Sequence, residues 1–399
     1  MRRFAAAVAE LNETAPGAAS LKRMFAYWES GERAVTVEAY RRAFVAIYQE
    51  SPERLGFMSH SGPPEYAGTA ALPVSGAQNV ESLRQGLDNA LADGAPSAAV
   101  LEDWEQLAVR YGRATRDRPA GLLLTDLTDE LAQLRAALTA CRTTSGKRRL
   151  TRVVAQMSGL MLLTLVKLDE RSAFRRWART ARVAADEAGD PATQAWVLAQ
   201  EAYGHYYSED LSEAVAVAKQ AQIVTGATRS VGAPLAAALE ARAYASLGQR
   251  QETLEALDRA EDLVSVLEAD ALQPSAFGYN EAQLRFHAGS AYTHLHDSAG
   301  AFAAQERALE LCAPGDYTDR AMTRLDRASC FAYDGDAALA AGEIAETLIG
   351  LGDDQRRGII DVRAAEVLDG MSERDRALPI VRDLQDLIIP DHLREDRHP

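Results

Sequence analysis

The chain has 399 residues, a net charge of −15 and a sequence pI near 5.0. An acidic surplus of that size excludes a molecule that coats nucleic acid or an anionic membrane over its whole surface. The length exceeds one ordinary globular core but suits a fold that grows pair by pair. Ala, Leu, Glu and Arg dominate while strand formers are scattered, so the expectation is an all-α fold. Three cysteines, Cys141, Cys312 and Cys330, have no metal-like spacing and suit a reducing compartment. The opening MRRFAAAVAEL reaches Glu10 after a short alanine run, unlike a secretory signal. The most apolar segment, Gly159–Val166, is under half the length that crosses a bilayer, so a cytoplasmic protein without membrane contact is expected.

Residues 1–57 carry eight Lys/Arg and seven Asp/Glu, a local balance of +1, leaving −16 for the remainder. A near-neutral head thus precedes an acidic body. Within the head, Ser20 is a good N-cap, and the first turn of a helix offers unpaired N–H groups to a phosphate. Lys22 and Arg23 add charge there, while Met24 and Trp28, four apart, point to the core. A further helix follows over Val37–Tyr48. The stretch Ser20–Phe57, with its Trp28-Glu29-Ser30-Gly31 step and its closing Pro52-Glu53-Arg54-Leu55-Gly56, resembles the back half of a Cro/repressor-type (XRE-like) helix-turn-helix domain. That resemblance implies operator DNA as partner, contacted by Ser20, Lys22, Arg23, Ala26 and Tyr27, and a homodimer on two half-sites. The helix that normally precedes Arg2–Leu11 is missing from the pattern, and the connection Asn12–Ala19 is longer than the usual turn, so this is a helix-turn-helix remnant.

Residues 58–79 are rich in Gly, Pro, Ala and Ser and read as a linker. Helices should resume near Val80, with Ala99–Arg113 and Leu122–Cys141 forming a pair. Thr144 and Ser145 should cap the next helix, which opens with Lys147, Arg148 and Arg149; with Arg152 these form either a solvated face or a phosphate site. From about residue 150 one helix–turn–helix pattern repeats six times. A small residue opens the second helix of each unit, at Ala173, Ala214, Thr253, Ala301, Ala340 and Ala377, spaced by 41, 39, 48, 39 and 37 residues. Another recurs on the first helix, at Ala202, Ala241, Gly289, Ala328 and Ala365, where small side chains let helices approach closely. The segments AYASLGQRQETLEALDRAEDL, AYTHLHDSAGAFAAQERALELCAP and SCFAYDGDAALAAGEIAETL resemble tetratricopeptide repeats, with Tyr244, Tyr292 and Phe331 in the aromatic place. The resemblance implies an α-solenoid of about seven helix pairs over residues 80–399, with a concave wall made by the first helices.

Mapped by that resemblance, Trp196, Tyr203, Tyr206, Tyr207, Arg242, Gln283 and Phe286 fall on the concave wall. Aromatics with one Arg and an amide could hold a peptide, a small amphipathic molecule or a protein segment; inter-repeat packing is the competing reading. His287, His294 and His296 lack a completing carboxylate or thiolate, so no metal is expected, and no cofactor. No HExxH, P-loop, Gly-x-Ser-x-Gly or Gly-x-Gly-x-x-Gly occurs, and no catalytic constellation is expected. The sequence therefore leads to a cytoplasmic, DNA-binding regulator whose repeat domain senses a ligand or partner and dimerises. The alternative is a repeat adaptor or scaffold whose head is vestigial and does not bind DNA.

Overall fold

The computed structural model describes residues 97–226 and 228–388, together with 4, 8, 24, 25, 28, 35 and 37–48. The linker, the helix expected near Val80 and the stretch after residue 388 lie outside the described residues. The chain divides into two compact units, Met1–Gln78 and Asn79–Pro399. Among the described residues there are seventeen helices and no strand.

In the first unit, α1 (Glu38–Tyr48) matches the expected helix to within a residue. It contributes Tyr40, Ala43, Phe44 and Ile47 to a small core with Phe4, Val8, Phe25 and Trp28. Phe4, 1% exposed, is the hub of this core: its ring lies 4.9 Å from Phe44 and 5.2 Å from Phe25. Trp28 faces inward as its spacing suggests, but its inward partner is Phe25, while Met24 stays partly exposed. Aromatic pairs at these separations add about 0.5–1.5 kcal/mol each beyond burial, which is how so short a segment sustains a core.

The second unit begins with α2 (Ala98–Ala114) and α3 (Ala120–Ala140), both packed on α4 (Thr144–Lys167). Thr143 caps α4, one residue earlier than expected, its Oγ1 accepting from Gly146 N at 3.2 Å. Helix α4 is long and apolar enough to cross a bilayer by length and composition, well beyond Gly159–Val166, yet 72% of its most apolar window is buried inside the protein. A helix that is apolar on all sides belongs at the centre of a core, and α4 occupies that place.

Helix pairs then follow in sequence: α4 with α5 (Arg171–Ala188), α6 (Pro191–Tyr207) with α7 (Leu211–Thr225), and α8 (Gly232–Ser246) with α9 (Arg250–Ser265). Next come α10 (Glu281–His294) with α11 (Ser298–Leu311), and α12 (Tyr317–Tyr333) with α13 (Ala337–Ile349). The single-turn α14 (Asp353–Arg356) leads to α15 (Ile359–Asp369), and the equally short α16 (Glu373–Arg376) leads to α17 (Pro379–Ile388), which packs on α15. First helices also touch one another down the series, α4 with α6, α6 with α8, α8 with α10, α10 with α12 and α12 with α15.

Five turns between paired helices are built identically. Asp169, Glu209, Gly248, His296 and Gly335 all take positive φ, between 54° and 88°. In each, the next residue's N–H donates to a carbonyl five residues back, as in Asp210 to His205 (3.0 Å), Asp297 to Tyr292 (2.9 Å) and Asp336 to Phe331 (2.8 Å). This is the left-handed helix stop that satisfies orphan carbonyls, and its recurrence marks a structural repeat. Burial corrects the expected register at three places. Phe174, not Ala173, is the first buried residue of α5, fitting against Gly204, where a Cβ would lie 2.6 Å from its ring. Ala364, not Ala365, is fully buried on α15, and Ala377 is exposed at the end of a single-turn helix.

The 48-residue spacing also has a cause. Between α9 and α10 the chain inserts a 3₁₀ turn, Ala269–Leu272, and a segment that reaches across to α2. There Ala276 N donates to Gly112 O at 2.8 Å, and Phe277 covers Gly112. The turn after α2 in addition meets the start of α12. Arg116 pairs with Asp316 (3.0 Å) and Asp319 (2.7 Å), and Tyr317 donates from its hydroxyl to Arg118 O (3.4 Å). Lys167, ending α4, donates to Thr115 O (2.6 Å) and Thr318 Oγ1 (3.3 Å), and Gly358 presses against the Lys167 carbonyl. The series of pairs thus curls until its late members touch its first helices.

Candidate functional site

Because the repeat unit closes on itself, the wall expected to face a groove faces its own interior. Trp196 fastens α6 in place: its Nε1 donates to Ala276 O at 2.6 Å, and its ring lies on Gly159 and 4.7 Å from Phe277. Any larger residue at 159 would collide with that indole. Tyr203, Tyr206 and Tyr207 follow on α6, with Tyr203 and Tyr207 rings 4.6 Å apart. Burial pushes the Tyr203 hydroxyl well above its ordinary pKa, so it stays neutral.

Arg242, on α8, is the centre of this interior and only 2% exposed. Its guanidinium carbon sits 4.2 Å from the Tyr206 ring, 5.2 Å from Tyr207 and 5.3 Å from Phe286. Nε donates to Ser290 Oγ (3.2 Å) and Nη2 to Tyr207 Oη (3.1 Å), whereas Nη1 has no partner. Among the described residues no carboxylate lies within ion-pair distance of it, and the nearby Asp326 is taken by Arg363 at 2.8 Å. Desolvated cation–π contacts contribute about 2 kcal/mol or more, and the three rings are what keeps this charge tolerable. The imidazoles beside it are neutral. Burial, with Arg242 and Arg116, holds His287 well below its usual pKa. Burial and Arg363 hold His294 at about 3, where Nε2 lies 3.0 Å from the Tyr206 hydroxyl. His296 stands apart, its ring 4.2 Å from Tyr333.

Gln283 and Phe286, one turn apart on α10, border a cavity of about 230 Å³. Its polar side is Arg116 with Asp316 and Asp319; its apolar side includes Leu311 and Ala308. Burial and the neighbouring Asp319 raise the Asp316 carboxyl, against the pull of Arg116 and Lys167. Burial raises the Cys312 thiol at the rim to about 11. The structure therefore brings together five of the seven expected wall residues, Tyr203, Tyr206, Tyr207, Arg242 and Phe286. Gln283 belongs to the cavity, and Trp196 stands apart as a fastener.

Sequence reasoning missed Arg116, Asp316, Asp319 and Lys167, which no local pattern connects. Tyr279 was also missed, and His287 was weighed only as a metal ligand; their rings are stacked at 5.8 Å, and Tyr279 Oη and His287 Nδ1 lack partners. A usable signal existed for His287, since Gln283, Phe286, His287 and Ser290 share one helical face. The basic run at the start of α4 is partly engaged within the fold: Arg149 grips Glu105 at 2.8 and 2.9 Å, and Arg152 joins at 3.1 Å. The expected DNA-contacting residues, Ser20, Lys22, Arg23, Ala26 and Tyr27, lie outside the described residues. No protein-family model matches the chain, and a search of the curated proteins finds no match.

Proposed function

We propose that this protein is a DNA-binding transcriptional regulator: a helix-turn-helix-like head controlled by a tetratricopeptide-like repeat unit that senses a ligand and dimerises. The observation that carries the reading is the pairing of two separate compact units of different make. One is a small aromatic core in which Trp28 packs against α1. The other is a helical repeat whose interior holds a caged guanidinium beside a cavity. In this reading Ser20, Lys22, Arg23, Ala26 and Tyr27 meet operator DNA, and a guest in the interior alters how the late pairs rest on α2 and α4. That shift changes the spacing of two heads in a dimer, and with it operator affinity. The acidic repeat unit does not oppose this, because phosphate contacts need only a local basic patch.

The test is recovery of bound DNA from cells that express the tagged full chain, followed by titration of the recovered sequence with purified protein. Replacing Lys22 and Arg23 with Ala should lower affinity and reduce the salt slope by about one unit per lost phosphate contact. Unchanged affinity and slope would remove that helix from the interface.

A further inference from the structure

Helix α5 is the exception on an acidic molecule. Its 18 residues carry five arginines, Arg171, Arg175, Arg176, Arg179 and Arg182, against Asp186 and Glu187 near its end. The other second helices of the series are not like it: α7 has one acid and one base, and α9, α11, α13 and α17 have more acids than bases. All five arginines are exposed, while Phe174, Ala178, Ala181 and Ala185 turn the opposite side of the helix into the core.

Helix stability does not favour this composition. Arg171, Arg175 and Arg176 stand in the first two turns, where the macrodipole opposes cations. Arg175 is four residues from both Arg171 and Arg179, and Arg179 is three from both Arg176 and Arg182, so like charges repel along one face. The fold relieves part of this. Arg171 reaches Asp169 (3.0 Å) and Glu209 (3.5 Å), Arg175 reaches Asp210 (3.8 Å) and Arg182 reaches Glu201 (3.2 Å). Each of these three arginines is still more than two-fifths exposed, and ion pairs so wetted hold weakly. Arg176 and Arg179 meet no acid among the described residues. A cationic face that costs the helix stability and is left partly unmatched is built for a partner carrying the opposite charge.

The chemistry of the face selects among such partners. A helix that lies in a membrane surface needs an apolar side for the lipid, and the apolar side of α5 is already buried. A protein interface has an apolar centre from which charges are depleted, whereas Val183 is the one large apolar residue that α5 exposes. Interfaces with DNA are polar and strongly positive. All five cations are arginine, whose planar fork takes two phosphate oxygens at once. From Arg171 to Arg182 the helix rises about 16 Å, over which one strand of a duplex presents about five phosphates. We infer that α5 is a second DNA contact, by which the repeat unit holds the phosphate backbone of the duplex. The inference rests on the regulator reading for the kind of nucleic acid. Phosphates carry no sequence information, so α5 adds affinity and leaves specificity to the head.

The test titrates the full chain with a random-sequence DNA duplex, by fluorescence anisotropy, from about 50 to about 200 mM salt. Arg176→Gln combined with Arg179→Gln alters two exposed side chains outside the core. It should weaken the duplex about tenfold or more at about 100 mM salt and flatten the salt slope by about two units. Arg250→Gln combined with Arg307→Gln removes the same charge from exposed sites on α9 and α11 and should leave the slope within about half a unit of its natural value. No binding of the duplex by the natural protein, an unchanged slope in the α5 variant, or an equal loss in the control would overturn the inference. A variant that keeps the duplex but loses self-association in sedimentation, or loses phosphatidylserine vesicles, would overturn it in favour of a second copy or a membrane. The head is judged separately by Lys22→Ala with Arg23→Ala. Loss in the α5 variant without loss in the head variant supports the inference and removes the head from the DNA, and the opposite pattern does the reverse.

Discussion

His294 offers the sharpest test of how dry the interior is. Its imidazole is half-buried, holds the Tyr206 hydroxyl at 3.0 Å and lies near Arg363; desolvation and that cation lower its pKa to about 3. The same group in the unfolded chain titrates near 6.5. Between those values the unfolded state binds a proton that the folded state refuses, so stability falls as pH falls. The contribution is complete above about pH 6.5 and is lost progressively down to about pH 3. At pH 5 the loss from this one group is about 2 kcal/mol, and by pH 3 it reaches about 4 kcal/mol. Urea unfolding at about pH 7.5 and pH 5 measures it directly. His294→Gln keeps a polar partner for Tyr206 and removes the titration, so the variant should lose about 2 kcal/mol less than the natural protein across that interval. Equal losses in the two proteins would mean that His294 is hydrated and that the interior is not closed.

Two further substitutions probe the closure itself. Arg116→Met leaves Asp316 and Asp319 together without their cation and should cost about 3–5 kcal/mol in urea unfolding. Adding Asp319→Asn should restore part of that loss, and a failure to restore any would mean that the pair is not electrostatically coupled. Gly358 has φ of 95°, and a Cβ there would run into the Lys167 carbonyl. Gly358→Ala should therefore cost at least about 1–3 kcal/mol and loosen the contact of α15 with α4. Protease cleavage between residues 350 and 378 should accelerate in that variant and not in Gly342→Ala, where a Cβ meets nothing.

What could be read from the chain depended on how local its physical cause was. Asp190 and Pro191 start α6 by local chemistry: Asp190 Oδ2 accepts from Thr193 N, and Pro191 occupies the first turn. Both effects act within four residues. Small residues marked the close helix contacts, with Ala202, Ala241 and Ala328 fully buried. The register slipped at Ala173 because the larger Phe174 fills the position, and at Ala365 because the adjacent Ala364 is just as small. The wall aromatics were legible as residues that face inward. That they would meet Arg242 and one another was not, because it depends on how tightly the series curls. The curl is set by Arg116 reaching Asp316, 200 positions away, and no periodicity carries that information.

The contact between Arg116 and Asp316 also sets a schedule for biosynthesis. When Arg116 leaves the ribosome its carboxylate partners have not been made, and at about 5–20 residues per second their synthesis takes roughly 10–40 s. Until then the nascent protein must shelter the end of α4 and the unfinished aromatic centre by other means, which makes this interval the stage at which chaperones have most to hold.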